Sequence, residues 1–239
     1  MPYRAMNLEQ VGEHLHLSRQ AVERLVKEKE IPFELQGDRV VFRKAQVEAW
    51  ASQHILKMSE KHLTDYHKAS SARAHDLSAK HALMPEMLSA AAIDPELTSR
   101  TKASVLRDVV RLADRTGLVC DSRDLLESLK AREEMCSTAL AGGFALLHPR
   151  HHEPYMFTDS FIAMARAIQP IHADAPDGRP TDLFLLICCQ DDRIHLHILA
   201  RLAAMCQHTS VLAELRAAGN SEQMRDAMIE SEITVIGRM

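Results

Sequence analysis

Residues 132–148 read REEMCSTALAGGFALLH, and this stretch indicates the fold of the larger part of the chain. Its first residues end a predicted helix, DSRDLLESLKAREEM, which Asp121 or Ser122 caps. The segment GGFALLH is a short apolar run typical of a buried strand, and it ends in His148. The stretch therefore predicts a helix, a turn and a strand with a polar side chain at its end.

The sequence on both sides of this stretch alternates helices and strands. Strands are predicted in FIAMARAI and in DLFLLICC, a continuous apolar run of the kind found in central strands. Helices are predicted in SRTKASVLRDVVRLADRTG, in RIHLHILARLAAMC and in two short closing segments, SVLAELRAAG and SEQMRDAMIE. Interleaved elements of this kind predict an α/β domain with a mixed central sheet flanked by helices.

The first fifty residues predict a smaller helical unit. In NLEQVGEHLH, Asn7 accepts a hydrogen bond from the backbone three residues on, and Gln10 reaches back to the N–H of Asn7. Ser18 is predicted to cap a second helix. Gly12 is predicted to lie where the two helices cross, since a residue without a Cβ lets two backbones approach closely. The segment FELQGDRVVF then predicts two strands around a turn at Gly37 and Asp38, and RKAQVEAWASQ predicts a third helix.

This N-terminal arrangement resembles the excisionase and MerR-like winged helix-turn-helix family. The stretches that carry the resemblance are NLEQVGEHLHLSRQAVERLVKEKEIP, the wing glycine and FRKAQVEAW. It implies double-stranded DNA as a partner, with the second helix in the major groove. The predicted DNA contacts are Arg19, Gln20, Arg24 and Lys27 on the outward face of that helix, and Arg39, Arg43 and Lys44 as phosphate contacts. Because residues 1–50 carry eight basic and eight acidic side chains, solvated faces of a protein-docking domain stay open as the alternative.

The rest of the chain, from about residue 84, resembles the type 2 IIA domain of the bacterial phosphotransferase system, and the nitrogen-regulatory and fructose/mannitol IIA proteins within it. REEMCSTALAGGFALLH, DGRPTDLFLLI and RIHLHILARLA carry the resemblance. It implies that His148 is phosphorylated, that His195 is the second active-site histidine and that Arg132 offsets phosphoryl charge. It also implies a hydroxyl contribution from Thr138 and a histidine-containing phosphocarrier protein as partner. Imidazole suits this role because it is largely uncharged at neutral pH and nucleophilic.

The surroundings of His148 leave two alternatives to phosphorylation. Family members usually read Pro-His-Gly or similar, whereas Leu147 precedes His148 here and Pro149, which has no backbone N–H, follows it. A folded but never phosphorylated domain is one alternative. The other is a metal site drawn from His148, His151, His152, His195 and His197, although histidines two apart on a helix point in different directions. We expect neither a metal nor a cofactor.

Composition and charge limit the classes of protein further. Residues 1–80 carry 13 basic and 11 acidic side chains and the remainder 16 and 22, which suggests two parts with different partners. Five cysteines without CxxC spacing argue against a disulfide framework or a zinc ribbon. Apolar runs far shorter than a membrane span, with no leader-like N-terminus, predict a cytoplasmic protein with no membrane insertion.

These observations predict a winged helix-turn-helix domain at 1–56, a helical linker at 57–83 and the IIA-like domain at 84–239. The linker either pairs with its twin in a homodimer or is simply solvated. The predicted function is a transcriptional regulator whose second domain is phosphorylated on His148, a stoichiometric carrier and switch rather than a turnover enzyme. The alternatives are a phosphocarrier that donates to a sugar-transport subunit, and a DNA-binding protein whose IIA domain only mediates interactions.

Overall fold

The computed structural model describes residues 5–15, 17, 19–37, 39–54, 80–150 and 156–238, which form two compact units. The first unit contains the described part of residues 1–81 together with Asp192–Ala204, and the second contains Ala82–Asp191 and Met205–Arg238. Most of the predicted linker lies outside the described residues. The same holds for Ser18, Asp38, His151 and His152.

The first unit confirms the winged helix-turn-helix pattern. Its elements in chain order are β1 (Ala5–Met6), α1 (Leu8–Leu15), α2 (Arg19–Lys27), β2 (Glu34–Gln36), β3 (Arg39–Arg43) and α3 (Lys44–His54). Strand β3 pairs antiparallel with both β2 and β1, so the predicted wing gains a third strand that the sequence did not reveal. The predicted capping box is present, because Gln10 N donates to Asn7 Oδ1 at 2.8 Å and Asn7 N donates to Gln10 Oε1 at 3.0 Å.

The helix crossing at Gly12 is as tight as the sequence predicts. A Cβ at this position would lie 2.9 Å from the carbonyl oxygen of Leu17 in the turn between α1 and α2. Any larger side chain would therefore push the turn away from α1. Val11, Leu15, Val22 and Leu25 form the apolar faces that the two helices bury.

The second unit contains the mixed sheet. Its helices are α4 (Met84–Met87), α5 (Lys102–Asp114), α6 (Ser122–Met135), α8 (Val211–Ala217) and α9 (Ser221–Arg238). Its strands are β4 (Leu88–Leu97), β5 (Ala139–Leu140), β6 (Phe144–Leu147), β7 (Phe161–Ile171) and β8 (Thr181–Cys188). Helix α7 (Asp192–His208) starts in the first unit and ends in the second. The strand order is β4-β7-β8-β6-β5. The β4–β7 and β6–β8 pairs are parallel, and the β7–β8 and β5–β6 pairs are antiparallel. The predicted α/β class with a mixed sheet is confirmed.

Helices cover this sheet through apolar faces. Helix α5 packs on β4, β7 and β8, and α6 packs on α5. Thr101 caps α5 through a capping box with Ser104, and the helix buries Val105, Val109 and Ala113. Within the described residues, no helix combines the length and the apolar character that a bilayer crossing requires.

Two elements differ from the sequence prediction. Strand β4 was not predicted, although it is ten residues long and pairs in parallel with β7 along the sheet edge. Helix α9 was predicted to be short, yet it continues to Arg238. Its buried Glu232 accepts the backbone N–H groups of Leu83 at 2.9 Å and Met84 at 2.8 Å, so the C-terminal helix holds the start of the second unit.

Candidate functional site

Strand β6 carries His148 to the end of the sheet. The strand lies between β8 and β5 and is buried along its whole length, which fixes the backbone just before the histidine. The turn that enters β6 is held by Arg216, which forms an ion pair with Asp182 at 2.7 Å and donates to the carbonyl of Gly142 at 2.7 Å. Gly143 has φ +81°, and a Cβ there would lie 2.8 Å from Arg216 Nη2, so this position requires glycine.

Arg132, in the last turn of α6, is brought into contact with His148. Its Nε donates to Nε2 of His148 at 2.9 Å, and its Nη1 donates to the carbonyl of Cys136 at 3.0 Å. Only 2% of Arg132 and 6% of His148 are exposed. The third nitrogen, Nη2, is buried without a hydrogen-bond partner among the described residues. A buried guanidinium N–H₂ with no acceptor is costly, and an anion would satisfy it.

Hydrogen bonds at both nitrogens of the His148 ring indicate its tautomer. Nδ1 lies 2.9 Å from the carbonyl oxygen of Leu146, which can only accept, so Nδ1 carries the proton. Arg132 can only donate, so Nε2 presents its lone pair. The ring is therefore held as the neutral Nδ1–H tautomer with Nε2 as the nucleophilic nitrogen.

The backbone after His148 offers few donors to an incoming group. Pro149 has no N–H, as the sequence shows. The next amide, that of Arg150, donates to Oγ of Ser128 on α6 at 2.9 Å. Among the residues that the structure describes, Arg132 is therefore the donor beside Nε2 that can stabilise negative charge there.

The other two predicted site residues lie in different surroundings. His195 is buried in the first turn of α7, within the segment Asp192–Ala204 that belongs to the first unit. Thr138 is buried just before β5, and its hydroxyl donates to the Glu133 carboxylate. In this structure that hydrogen bond uses the hydroxyl proton. The direct contribution expected of this hydroxyl stays a prediction.

The predicted nucleic-acid face is exposed on α2 and the wing. Arg19, Gln20, Arg24 and Lys27 are exposed on α2, as are Arg39 and Arg43 on β3. Arg19 forms an ion pair with Glu23 at 2.9 Å, and Arg43 forms one with Glu34 at 2.5 Å. Lys44 is half-buried and forms ion pairs with Glu48 and Asp192. It would have to leave both carboxylates to reach a phosphate.

A match to the phosphoenolpyruvate-dependent sugar phosphotransferase system EIIA 2 family spans residues 86–231, more than half of the chain. The chain belongs to the EIIA 2 family. A second match, to a helix-turn-helix domain, spans residues 5–55. The chain thus combines a helix-turn-helix domain with an EIIA 2 domain, the composition of a DNA-binding regulator that carries a phosphotransferase-type domain.

The EIIA 2 domain is similar to nitrogen regulatory proteins. That of Pseudomonas aeruginosa is 28% identical over 132 residues, which cover 54% of this chain and 84% of the relative. That of Escherichia coli is 30% identical over 115 residues, covering 46% and 68%. The crystal structure of nitrogen regulatory protein IIA-Ntr from Neisseria meningitidis superposes with a TM-score of 0.55 at 27% identity, covering 61% of this chain and 99% of that one.

Sequence reasoning missed two groups of charged residues. In the EIIA 2 domain, Glu133 lies directly after Arg132 and forms an ion pair with Lys102 at 2.8 Å. A glutamate in a helix rich in charged residues gives no signal of such a contact. The second group lies in the first unit, where ligand atoms of His14, Glu48 and Asp192 come within 4.8 Å of one another. Their separation along the sequence hides the cluster.

The cluster in the first unit already contains a cation. Lys44 Nζ lies 3.1 Å from Glu48 and contacts Asp192, so an ammonium group already faces both carboxyl groups. Burial, and then the neighbouring Asp192 carboxylate, raise the pKa of Glu48 to about 8, although Lys44 acts in the opposite direction. Glu48 therefore keeps its proton at neutral pH.

Two of the cysteines, Cys188 and Cys206, have thiols that burial keeps protonated. Burial raises the pKa of Cys206 to about 12 and that of Cys188 still further, so neither forms a thiolate at neutral pH. Cys188 and Cys189 are buried at the end of the central strand β8 and just beyond it, as expected for inert core residues.

Proposed function

We propose that this protein is a DNA-binding regulator whose EIIA 2 domain accepts a phosphoryl group on Nε2 of His148. The donor is the histidine-containing phosphocarrier protein, which receives its phosphoryl group from phosphoenolpyruvate. In this proposal the chain is a stoichiometric carrier and switch. The observation that carries it is the hydrogen bonding of the His148 ring, which leaves Nε2 as the lone-pair nitrogen beside a buried arginine.

The transfer starts from the lone pair of Nε2, once the guanidinium of Arg132 has moved aside. The Nε2 lone pair attacks phosphorus, the P–N bond of the donor phosphohistidine breaks, and the donor nitrogen keeps that bond's electron pair. Positive charge develops on the His148 ring, and the hydrogen bond from Nδ1 to the Leu146 carbonyl stabilises it. The donor phosphohistidine starts with a proton on its other ring nitrogen, so its imidazole leaves as a neutral ring and no proton has to move during the P–N exchange.

Arg132 has two states in this mechanism. Its Nε covers Nε2 in the present structure, so the guanidinium must move off the lone pair before attack. Its Nη1 contact with the Cys136 carbonyl keeps it close, and Nη2, which has no partner among the described residues, is available for phosphoryl oxygens. A phosphoryl group carries nearly two negative charges, and a buried bidentate guanidinium is a strong partner for it. We assign to His195 the supporting role that the family resemblance implies.

The helix-turn-helix domain supplies the DNA contacts in this proposal. Arg19, Gln20 and Arg24 read bases in the major groove from α2, where all three are exposed. Lys27, Arg39 and Arg43 hold phosphates and set the register. Binding as a homodimer would match a palindromic operator, because a two-fold axis in the protein requires one in the DNA.

A DNA-binding protein with an unphosphorylated interaction domain is the second candidate. The observation that favours it is the missing backbone donor at Pro149 together with the use of the Arg150 amide by Ser128. Phosphate acceptance separates the two candidates, because only the first requires a reactive Nε2.

The decisive assay incubates the full chain with phosphoenolpyruvate and the two general phosphotransferase proteins. Wild type is expected to gain one acid-labile phosphate, and His148→Ala none. His172→Ala, which alters an exposed histidine of the same unit, is the matched control and is expected to match wild type. An unlabelled wild type, or a His148→Ala variant that labels fully, would contradict the proposal.

A further inference from the structure

Glu133 is buried one residue after Arg132, and its two oxygens have different partners. Only 6% of its side chain is exposed. Oε2 forms an ion pair with Lys102 at the start of α5, at 2.8 Å. Oε1 accepts from Thr138 twice, from the backbone N–H at 3.1 Å and from the hydroxyl. A charged acceptor that satisfies two donors of one residue fixes that residue firmly.

The residue held in this way is connected to the His148 ring through the backbone. The carbonyl of Thr138 accepts the N–H of Leu146 at 3.2 Å, as part of the contact between this segment and β6. The carbonyl of Leu146 in turn accepts Nδ1–H of His148 at 2.9 Å. A continuous series of hydrogen bonds therefore runs from the Glu133 carboxylate to the ring nitrogen that sets the tautomer.

The same segment also holds Arg132. The Cys136 carbonyl, which anchors Arg132 Nη1, lies two residues before Thr138. Ser137 Oγ donates to the carbonyl of Ala173, which pins the segment from its other side. Displacement of Thr138 would therefore disturb both the anchor of the guanidinium and the hydrogen bond that orients the imidazole.

We propose that Glu133 is a positioning residue for phosphoryl transfer, which acts through Thr138 and β6 to hold His148 in its Nδ1–H tautomer beside Arg132. Lys102 keeps the Glu133 carboxylate in place. Glu133 does not touch the phosphoryl group, and Thr138 serves as its partner rather than as a donor to phosphate. The inference deepens the proposed function and rests on it only for the transfer rate, because the tautomer is a property of the unphosphorylated chain.

The test separates the reach of the side chain from its charge. Glu133→Asp keeps the charge and the attraction to Lys102, but it withdraws the oxygens from Thr138 by about 1.5 Å. Glu133→Gln keeps the reach and one acceptor oxygen and loses the charge. Glu133→Ala removes both, and Glu134→Ala, at the exposed glutamate next to it, is the matched control. The readouts are the protonation of each ring nitrogen of His148 by ¹⁵N NMR and the initial rate of phosphoryl acceptance.

The expected result is a mixture of His148 tautomers in the Asp and Ala variants, with acceptance slowed by about tenfold to a hundredfold, as for a displaced catalytic group. Glu133→Gln is expected to keep the Nδ1–H tautomer and a rate within about threefold of wild type. Glu134→Ala is expected to match wild type. If Glu133→Ala fails to fold, the tautomers and rates of Glu133→Asp and Glu133→Gln are sufficient to test the inference.

Two results would overturn the inference. One is a wild-type tautomer and rate in the folded Asp and Ala variants. The other is a Gln variant as impaired as the Asp variant, which would show that an acceptor oxygen within reach of Thr138 does not by itself hold the tautomer. A wild-type chain that takes no phosphate would defeat the proposed function instead, and the NMR spectra would still decide the positioning role.

Discussion

Nε of Arg132 donates to Nε2 of His148 at 2.9 Å, so the nucleophilic nitrogen is in contact with the group best suited to bind a phosphoryl oxygen. The contact keeps the ring neutral and oriented while no phosphoryl group is present. It also makes the movement of one guanidinium a required step in phosphorylation. We therefore expect Arg132 to occupy the nucleophilic nitrogen before transfer and to stabilise the phosphorylated product afterwards.

Replacement of Arg132 tests this double role. Arg132→Lys keeps a positive charge but loses the planar set of N–H groups, so phosphoryl acceptance is expected to slow by about a hundredfold or more. The measurement is the rate of appearance of acid-labile phosphate in the full chain. Arg123→Ala, an exposed arginine on the same helix, is the control and should retain the wild-type rate. An Arg132→Lys variant as fast as wild type would show that the guanidinium plays no part.

The wing is predicted to contact phosphates. Arg39→Ala should lower the slope of log K against log salt concentration by about one for binding to a mixed-sequence duplex, because one counterion fewer is released. The measurement is a salt titration of duplex binding by the full chain. Arg123→Ala again serves as the control because it lies in the EIIA 2 domain. An unchanged slope for Arg39→Ala would remove this residue from the DNA face.

The recognition helix makes a different prediction. Arg24→Ala should weaken binding to a selected high-affinity duplex by about 1–3 kcal/mol and relax the preference for one base, while binding to mixed-sequence DNA changes less. The measurement is selection from a random duplex library, followed by titration of the best sequence. Uniform weakening across all sequences would instead make Arg24 a phosphate contact.

Glu48 predicts a pH dependence of stability in the first unit. Its pKa is about 8 in the folded chain, against an ordinary value of 4.5, so the folded state binds a proton that the unfolded state releases between these values. Stability from this group is therefore full below about pH 4.5 and is lost as the pH rises through 8, by at most about 1.4 kcal/mol per pH unit. The side chain in Glu48→Gln cannot titrate, so the stability of this variant should increase relative to that of wild type as the pH rises from 5 to 8.

The single tryptophan of the chain reports on this transition, because Trp50 lies on α3 two residues from Glu48. Thermal unfolding followed by its fluorescence gives the midpoint at each pH. Glu9→Gln, at an exposed glutamate of α1, is the control, and its unfolding midpoint should change with pH in the same way as that of wild type. Parallel curves for Glu48→Gln and wild type would contradict the raised pKa.

The end of α2 offers a stability prediction. Lys29 has φ +57°, and the next amide, that of Glu30, donates to the carbonyl of Leu25 at 2.9 Å, as in a helix end that favours glycine. Lys29→Gly should therefore stabilise the first unit by about 0.5–1 kcal/mol, visible as a higher midpoint in Trp50 fluorescence. Lys27→Gly, at the last residue of α2, should lower the midpoint instead. A Lys29→Gly variant less stable than wild type would show that the positive φ of Lys29 does not strain the backbone.

Local patterns predicted the elements whose residues have a clear period or cap. The Asn7–Gln10 box, the glycine at 12 and the apolar runs of β6, β7 and β8 all behave as their sequences indicate. Strand β4 escaped prediction because its sequence, LSAAAIDPEL, is rich in alanine and contains Asp94 and Pro95, which are rare in strands. Its position at the sheet edge tolerates the proline.

Contacts between distant parts of the sequence were beyond prediction. The ion pair between Lys102 and Glu133 and the cluster around Glu48 join residues that are far apart in the chain. No periodic pattern encodes such pairs, since they depend on how elements pack. The contact between the Thr138 hydroxyl and Glu133 escaped prediction for a different reason: the two residues are neighbours in the sequence, and only the turn after α6 brings their side chains together.

The most direct test of the central claim is the position of phosphorus on the histidine ring. The full chain, labelled with ¹⁵N in its histidines, is phosphorylated with phosphoenolpyruvate and the general phosphotransferase proteins, and the nitrogen–phosphorus coupling is measured. We expect a single phosphoramidate on Nε2 of His148, absent in His148→Ala. Phosphorus on Nδ1, on another residue, or nowhere on the chain would contradict the account.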